Sequence, residues 1–263
     1  MAYRQDVFIW NVHGPVMIME FIVTVIVFSI GIIILRRWKE RRTKPTLYLA
    51  LAMFSVGSAT LFAFLGLFIW FLNWIAAGFP ADLLNTPLSE ITTPIAYSCV
   101  IPYVIFLFLF TIHIFSNKND KRAIPLIIIG AIIVTLIFHP QNYWGLALEI
   151  TDPPKIQSIV LGIYLIFNLI IYIVLFSYAY KESRRTEDEI MKKGFFVIAL
   201  GQIANMFVFI FFLTDSIYST LNPTFTGYSI FIYLAWISAM IAAILFYVGY
   251  ILPNWFRKII SKE

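Results

Sequence analysis

A long apolar run that ends abruptly in a cluster of cations limits most strongly what this chain can fold into. Residues 14–35 contain one ionisable side chain, Glu20, and residues 36–44 then carry six lysines and arginines. A helix of about 20 apolar residues crosses the hydrocarbon core of a bilayer, and cytoplasmic loops are enriched in lysine and arginine. The run therefore predicts a transmembrane helix with a cytoplasmic carboxyl end. It is too long, and its amino-terminal flank too poor in positive charge, for a cleaved signal peptide.

The composition extends this prediction to the whole chain. Hydrophobic residues make up 61% of the sequence and charged residues only 13%, against about 25% charged residues in a typical soluble domain. The single cysteine, Cys99, cannot form an intrachain disulfide. The richness in isoleucine favours a prokaryotic source, with archaea included. We therefore expect one all-α, multi-pass domain in a prokaryotic cell membrane.

Six further apolar segments follow the first and are separated by charged or polar loops. Together they predict a bundle of seven transmembrane helices. The predicted spans are residues 14–35, 47–76, 93–115, 123–138, 156–180, 194–213 and 227–252.

The distribution of basic residues supports the short fourth span and sets the orientation. With seven crossings and an outer amino terminus, only Arg4 and Lys155 of the 19 lysines and arginines fall outside the inner segments. Without the fourth span, the clusters in 181–193 and 253–263 would lie outside, against the positive-inside rule. We expect the amino terminus outside and the carboxyl terminus in the cytoplasm. Because topology and lipid contact explain the basic charge, the bilayer is the predicted partner and nucleic acid is not.

Polar side chains inside the predicted spans indicate a candidate binding site. An ionisable group within a bilayer is costly and is therefore a functional hypothesis, and Glu20 shares a helical face with His13 and Thr24. Spans five, six and seven carry further polar and aromatic residues at helical spacing. The candidate ligand-binding residues are Glu20, Asn168, Gln202, Asn205, Tyr233 and Trp236. The alternative is that Glu20 is a neutral buried residue and that the others only join neighbouring helices by hydrogen bonds.

The sequence lacks the signatures of catalytic or metal chemistry. It contains no HExxH, GxSxG, P-loop or CxxC motif, and no pair of intramembrane aspartates. His13 and His139 are both expected at the outer face and could ligate one haem. A transmembrane electron path needs a second pair of histidines, and His113 is the only other histidine in the sequence. Interfacial histidines are the preferred interpretation. We therefore predict no enzyme, no metal and no cofactor.

The end of the last span resembles a known kind of sensor. Residues 249–257 read GYILPNWFR, which is similar to the exit from the seven-helix sensor modules that precede histidine kinases. The overall plan also resembles microbial rhodopsins and seven-helix receptors, although residues 227–252 contain no lysine for a retinal Schiff base. This resemblance implies a stand-alone sensor that signals through a separate cytoplasmic partner. The mixed-charge segment 181–193 is the candidate docking site, unless it is simply a solvated loop.

We therefore expect a non-enzymatic, receptor-like protein that binds a small or lipophilic ligand between the outer halves of spans one, five, six and seven. The alternative is a cation- or proton-coupled transporter or channel that uses Glu20. The prolines typical of the seven-helix sugar transporters are absent from spans two, five and six. A third hypothesis is a structural subunit of a larger complex, docked through small residues on the second span. These are Ala52, Ser55, Ala59, Ala63 and Gly66.

Overall fold

A computed structural model of the chain describes residues 9–78, 87–115, 120–139, 156–222 and 228–260. Within these ranges the chain is helical and contains no strand. A short 3-10 turn at Asp120–Ala123 precedes α4. The helices are α1 (Trp10–Arg41), α2 (Lys44–Ala76), α3 (Pro87–Phe115), α4 (Ile124–Ile137), α5 (Ile156–Arg185), α6 (Glu189–Leu221), α7 (Ile230–Ile251) and α8 (Asn254–Ile260).

Six of these helices are long and apolar enough to cross a membrane, namely α1, α2, α3, α5, α6 and α7. The protein is therefore an all-α, multi-pass membrane protein. The fourth predicted span is a helix of 14 residues, or about 21 Å at 1.5 Å per residue. The hydrocarbon core is about 30 Å thick, so α4 alone falls short of a full crossing.

Five of the helices, α1, α2, α3, α5 and α6, are longer than the predicted spans because they include polar terminal turns, whereas α4 and α7 are slightly shorter. The clearest case is the predicted inner segment 181–193, where α5 continues to Arg185 and α6 begins at Glu189. The Asp188 carboxylate caps α6 by accepting hydrogen bonds from the backbone N–H groups of Ile190 at 2.8 Å and Met191 at 3.0 Å.

Residues 79–86 lie outside the described residues, and α3 begins at Pro87.

Helices α3 and α5 run in the same direction across the bundle. The rings of Tyr97 and Tyr164 are 5.2 Å apart, and one or two turns further along both helices the rings of Tyr103 and Tyr172 are 6.5 Å apart. Helix α4 follows α3 in the chain and packs Gly130 against Ile101 of α3.

All lysines and arginines among the described residues lie at one end of the bundle, here called the basic face. Two side-chain contacts assemble this face from distant helices. The hydroxyl groups of Thr46 in α2 and Tyr250 in α7 are 2.6 Å apart, and the rings of Phe115 in α3 and Phe195 in α6 are 5.0 Å apart. The last turn of α7 therefore lies at the basic face.

The first turn of α1 lies at the opposite end, here called the outer face after the orientation that the sequence predicts. The His13 ring lies 4.7 Å from the ring of Trp70, near the end of α2, and 5.6 Å from the ring of Tyr228, before α7. The start of α1 and the end of α7 are thus on opposite faces of the bundle. Trp70 is buried.

An ionic cluster on the basic face ties the turn before α4 to α2 and α3. The Asp120 carboxylate forms a hydrogen bond with the ring of His113, accepts one from the Tyr48 hydroxyl at 3.3 Å, and lies 3.6 Å from the Lys44 ammonium. The hydrogen bond from His113, followed by the positive charges nearby, holds the pKa of Asp120 below its ordinary value. The cluster therefore fixes where α4 begins.

The small-residue ridge of α2 faces the inside of this chain. Ala52, Ala59 and Gly66 are buried against the neighbouring helices. Ser55 and Ala63 are partly buried, and the ridge permits close helix packing. The sides of the bundle carry exposed aliphatic side chains suited to lipid contact, such as those of Ile128 and Ile166.

Candidate functional site: a cavity with a buried carboxyl group

A cavity of about 120 Å³ lies between the six long helices, and each of them contributes to its wall. It extends from Tyr228 near the outer face to Val27 and Ala243 about halfway through the bundle. Its wall is largely apolar and rich in aromatic rings. These include Tyr97, Tyr103, Tyr164, Tyr172, Phe209, Phe212 and Trp236.

Glu20 is the residue with a carboxyl group in the wall of this cavity. Its side chain is 5% exposed and lines the cavity, and Oε2 has no hydrogen-bond partner within the described ranges. The hydroxyl group of Thr24, one turn further along α1, donates a hydrogen bond to the Glu20 backbone carbonyl at 2.7 Å and lies within hydrogen-bond distance, 3.0 Å, of the Thr60 hydroxyl of α2. These bonds fix the backbone at Glu20 but leave its carboxyl group facing the cavity.

No lysine, arginine or histidine lines the cavity in the part of the chain that the structure describes. A charge in an apolar interior is strongly unfavourable unless it is paired and hydrogen-bonded. The Glu20 carboxyl group therefore has no cationic protein partner at this site.

Asn205 and Tyr103 form a polar bridge across the cavity wall. The Asn205 side-chain amide in α6 donates a hydrogen bond of 2.8 Å to the Tyr103 hydroxyl in α3, and both residues line the cavity. Sequence reasoning selected Asn205 but missed Tyr103. A tyrosine in an apolar span carries no pattern that identifies its partner in another helix.

Tyr172 adds a second polar atom without a partner. Its ring lies 5.4 Å from that of Phe209, and its buried hydroxyl has no hydrogen-bond partner among the residues described. The residue lines the inner part of the cavity. Glu20 and Tyr172 therefore both line the cavity and each carries a buried polar atom without a hydrogen-bond partner among the described residues.

The structure brings three of the six predicted binding residues to the cavity wall: Glu20, Asn205 and Trp236. Asn168 and Gln202 are fully buried but do not line it, and Tyr233 is only partly buried and lies elsewhere on α7. The Asn168 amide nitrogen donates to the Tyr164 backbone carbonyl at 2.7 Å.

The outer rim of the cavity is ordered by a buried cap at the start of α7. Asp215, near the end of α6, accepts hydrogen bonds from the Ser229 backbone N–H at 3.1 Å and hydroxyl at 2.6 Å. The Ser229 hydroxyl in turn accepts from the backbone N–H of Phe231 at 3.2 Å. This cap fixes the first turn of α7 relative to α6, and with it the position of Tyr228 and Trp236 on the wall.

The histidines do not assemble a metal site. His13 is buried in the first turn of α1, where its Nδ1 atom lies 3.0 Å from the Ile9 backbone nitrogen. His113 belongs to the basic face, and His139 follows α4. In the described ranges, no group of three or more histidine, cysteine, aspartate or glutamate residues could hold a metal ion.

An apolar, aromatic wall with a few placed polar groups is typical of a small-molecule site. The volume is close to that of engineered cavities of about 150 Å³ that admit benzene. The arrangement is therefore suited to a molecule with few non-hydrogen atoms. Comparison of the chain with protein-family models, with curated proteins and with solved structures found no match.

Proposed function

We propose that this chain is a non-enzymatic, receptor-like membrane protein that binds a small molecule in the cavity. The observation that carries the proposal is the pair of partnerless polar groups, on Glu20 and Tyr172, in an apolar cavity bounded by all six long helices. A buried polar group without a hydrogen bond costs about 1–3 kcal/mol. A ligand that satisfies these groups recovers that cost, and because it touches every long helix it can change how they pack.

Close packing below the cavity favours binding over conduction. Between the cavity and the basic face the bundle is filled by side chains with essentially no exposed surface, including Ile34, Leu49 and Phe110. A cation- or proton-coupled transporter that uses Glu20 is the second candidate, because a carboxyl group in the membrane is typical of proton and cation pathways. Cation or proton flux into proteoliposomes that is lost in Glu20→Gln would support the transporter.

The output surface we propose is the corner between α5 and α6 on the basic face. Both helices continue into this corner, and only 186–188 separate them. The corner carries both signs of charge, with Lys181 and Arg184 near Glu187 and Glu189 in the sequence. A cytoplasmic signalling partner of mixed charge fits this surface.

We further infer seven crossings, with the amino terminus outside and α4 as the short fourth span. The parallel course of α3 and α5 supports this count, as does the placement of the start of α1 and the end of α7 on opposite faces. The basic face is then cytoplasmic by the positive-inside rule. A prokaryotic cell membrane is the location that we propose.

Cysteine labelling tests this topology. In a Cys99→Ser background we expect a membrane-impermeant maleimide to label Asn11→Cys and His139→Cys on intact cells. Lys121→Cys and Lys258→Cys should react only after permeabilisation. Labelling of residues 121 and 139 from the same side would contradict a crossing by α4, and labelling of residues 11 and 258 from the same side would contradict an odd number of crossings.

Filling the cavity tests the binding function. Ala239 lines the cavity on α7, and Ala239→Phe places a ring inside it. We expect uncharged and charged probes of about the size of benzene to raise the thermal unfolding midpoint of the solubilised wild-type protein. Ala239→Phe should abolish this stabilisation.

The matched control is Ile241→Phe, which introduces the same ring at an exposed position on the same helix and should leave the probe response unchanged. The cavity proposal fails if no probe stabilises the wild type, or if Ala239→Phe responds as strongly as Ile241→Phe does.

A further inference from the structure

The partnerless atoms around the cavity favour a ligand that donates hydrogen bonds. Glu20 Oε2 is an acceptor when the carboxyl group is ionised, and the Tyr172 hydroxyl is free to accept. An ammonium group has three donors and no acceptor, which complements these atoms.

The aromatic wall favours the same kind of ligand. The rings of Tyr164 and Tyr172 both lie within 6.0 Å of the Phe209 ring, and Phe212 meets Trp236 edge-on at 5.5 Å. Aromatic faces attract cations, most strongly in a desolvated site and with tryptophan. Aromatic cages are a recurring way to recognise quaternary ammonium ligands.

Glu20 has no positively charged side chain beside it in the cavity among the described residues. Because no cationic side chain lines the cavity in the described ranges, an ionised Glu20 must find its positive charge in whatever the cavity holds. A neutral ligand would leave that charge uncompensated or would require a protonated carboxyl group. A cationic ligand satisfies the carboxylate, the hydroxyl and the rings together.

Resting on the proposed binding function, we propose that the cavity recognises a compact organic ammonium ion, with Glu20 as its counter-ion and the Trp236, Phe209 and Tyr172 rings as its cage. The volume of about 120 Å³ limits the cationic head to roughly the size of benzene or less. Larger amines would have to extend toward Tyr228 at the outer rim.

Two probes of equal size separate charge from shape. tert-Butylammonium and tert-butanol have the same number of non-hydrogen atoms and the same branched form, but only the first is charged at neutral pH. Dissociation constants are obtained from the rise of the unfolding midpoint with probe concentration. We expect tert-butylammonium to bind the wild type at least about tenfold more tightly, as a desolvated charge pair with cation–π contacts predicts.

Glu20→Gln keeps the shape of the side chain and removes its charge. We expect it to weaken tert-butylammonium at least about tenfold, because it leaves a buried cation unpaired, and to leave tert-butanol unchanged. Glu40→Gln is the matched control, since it changes an exposed carboxylate at the other end of the same helix. If Glu20→Gln does not fold, the comparison of the two probes on the wild type decides the question.

Two results would overturn the proposal in different ways. Equal or tighter binding of tert-butanol, with Glu20→Gln retaining tert-butylammonium, means that the cavity takes neutral ligands, and the binding function stands. If neither probe binds, and benzene-sized neutral probes also fail to distinguish Ala239→Phe from wild type, both the ammonium ligand and the binding function are wrong.

Discussion

Replacing Phe110 with alanine is expected to lower the free energy of unfolding by about 3 kcal/mol, the low end of the range for buried phenylalanine in soluble proteins. Phe110 is 0% exposed, and its ring meets the Tyr250 ring edge-on at 5.2 Å. Tyr250 in turn contacts the Thr46 hydroxyl, so the ring lies where α2, α3 and α7 meet. Truncation therefore leaves a cavity between three helices.

We expect a loss of unfolding free energy at the low end of that range because, inside a bilayer, the alternative environment of the Phe110 ring is lipid and not water. In soluble proteins the loss combines the transfer of the ring from water with the cost of the cavity. Lipid chains are as apolar as the protein interior, so most of the transfer contribution is absent within the bilayer. The cavity and the lost ring contacts remain.

Reversible unfolding in mixed detergent and SDS micelles measures this loss. The matched control is Phe207→Ala, because Phe207 is 45% exposed toward the lipid and stacks on Phe211 of its own helix at 5.7 Å. We expect that variant to lose less than about 1 kcal/mol. Equal losses in the two variants would show that Phe110 does not form the junction described.

Sequence patterns predict the helices of this fold well because each span is long, apolar and bounded by charge. The 3.6-residue period also predicts which side of α1 faces inward: His13, Glu20 and Thr24 share a face, and all three are buried. The carboxyl group of Glu20 could therefore be identified as an interior group before its surroundings were known. The true helix ends could not, since polar terminal turns such as 181–185 carry no hydropathy signal.

The identity of the cavity wall could be predicted only in part. Asn168 and Gln202 satisfy the same criteria of spacing and polarity as Asn205, yet they lie behind the wall. The inward arc of a helix is broad enough to meet two neighbours, and only the rotation of each helix decides which residues meet the cavity. The Asn205–Tyr103 bond joins residues far apart in sequence, and no local pattern encodes it.

Gly249→Ala is expected to destabilise the protein strongly, because Gly249 lies where α6 and α7 approach each other closely. A Cβ atom at position 249 would lie 2.8 Å from the Gly194 carbonyl oxygen and 3.0 Å from the Ile198 backbone nitrogen. Backbone atoms cannot move away by changing rotamer, so the two helices must separate. We expect a loss of about 1–3 kcal/mol or more, as for an overpacked core.

Gly162→Ala separates this steric effect from helix propensity. A Cβ atom there meets nothing within 4 Å, so the same substitution should stabilise α5 by about 0.5–1 kcal/mol. The two variants are compared by unfolding in SDS mixtures and by the response of each to the cavity probes. If Gly249→Ala were as stable as Gly162→Ala, the close approach of α6 and α7 would be wrong.

The affinity of Gly249→Ala for the cavity probes tests whether the cavity is coupled to the α6–α7 contact at the basic face. Asn205 lies on α6 and Trp236 on α7, so forcing these helices apart at Gly194 and Gly249 also changes the spacing of the cavity wall above. We therefore expect Gly249→Ala to weaken cavity probes although it lies outside the cavity, whereas Phe207→Ala leaves them unchanged. By linkage, a ligand that alters the wall must alter the α6–α7 contact at the basic face in return, which is the coupling that a receptor requires. Unchanged probe affinity in a destabilised but folded Gly249→Ala protein would show that the cavity and the basic face are not coupled through these helices.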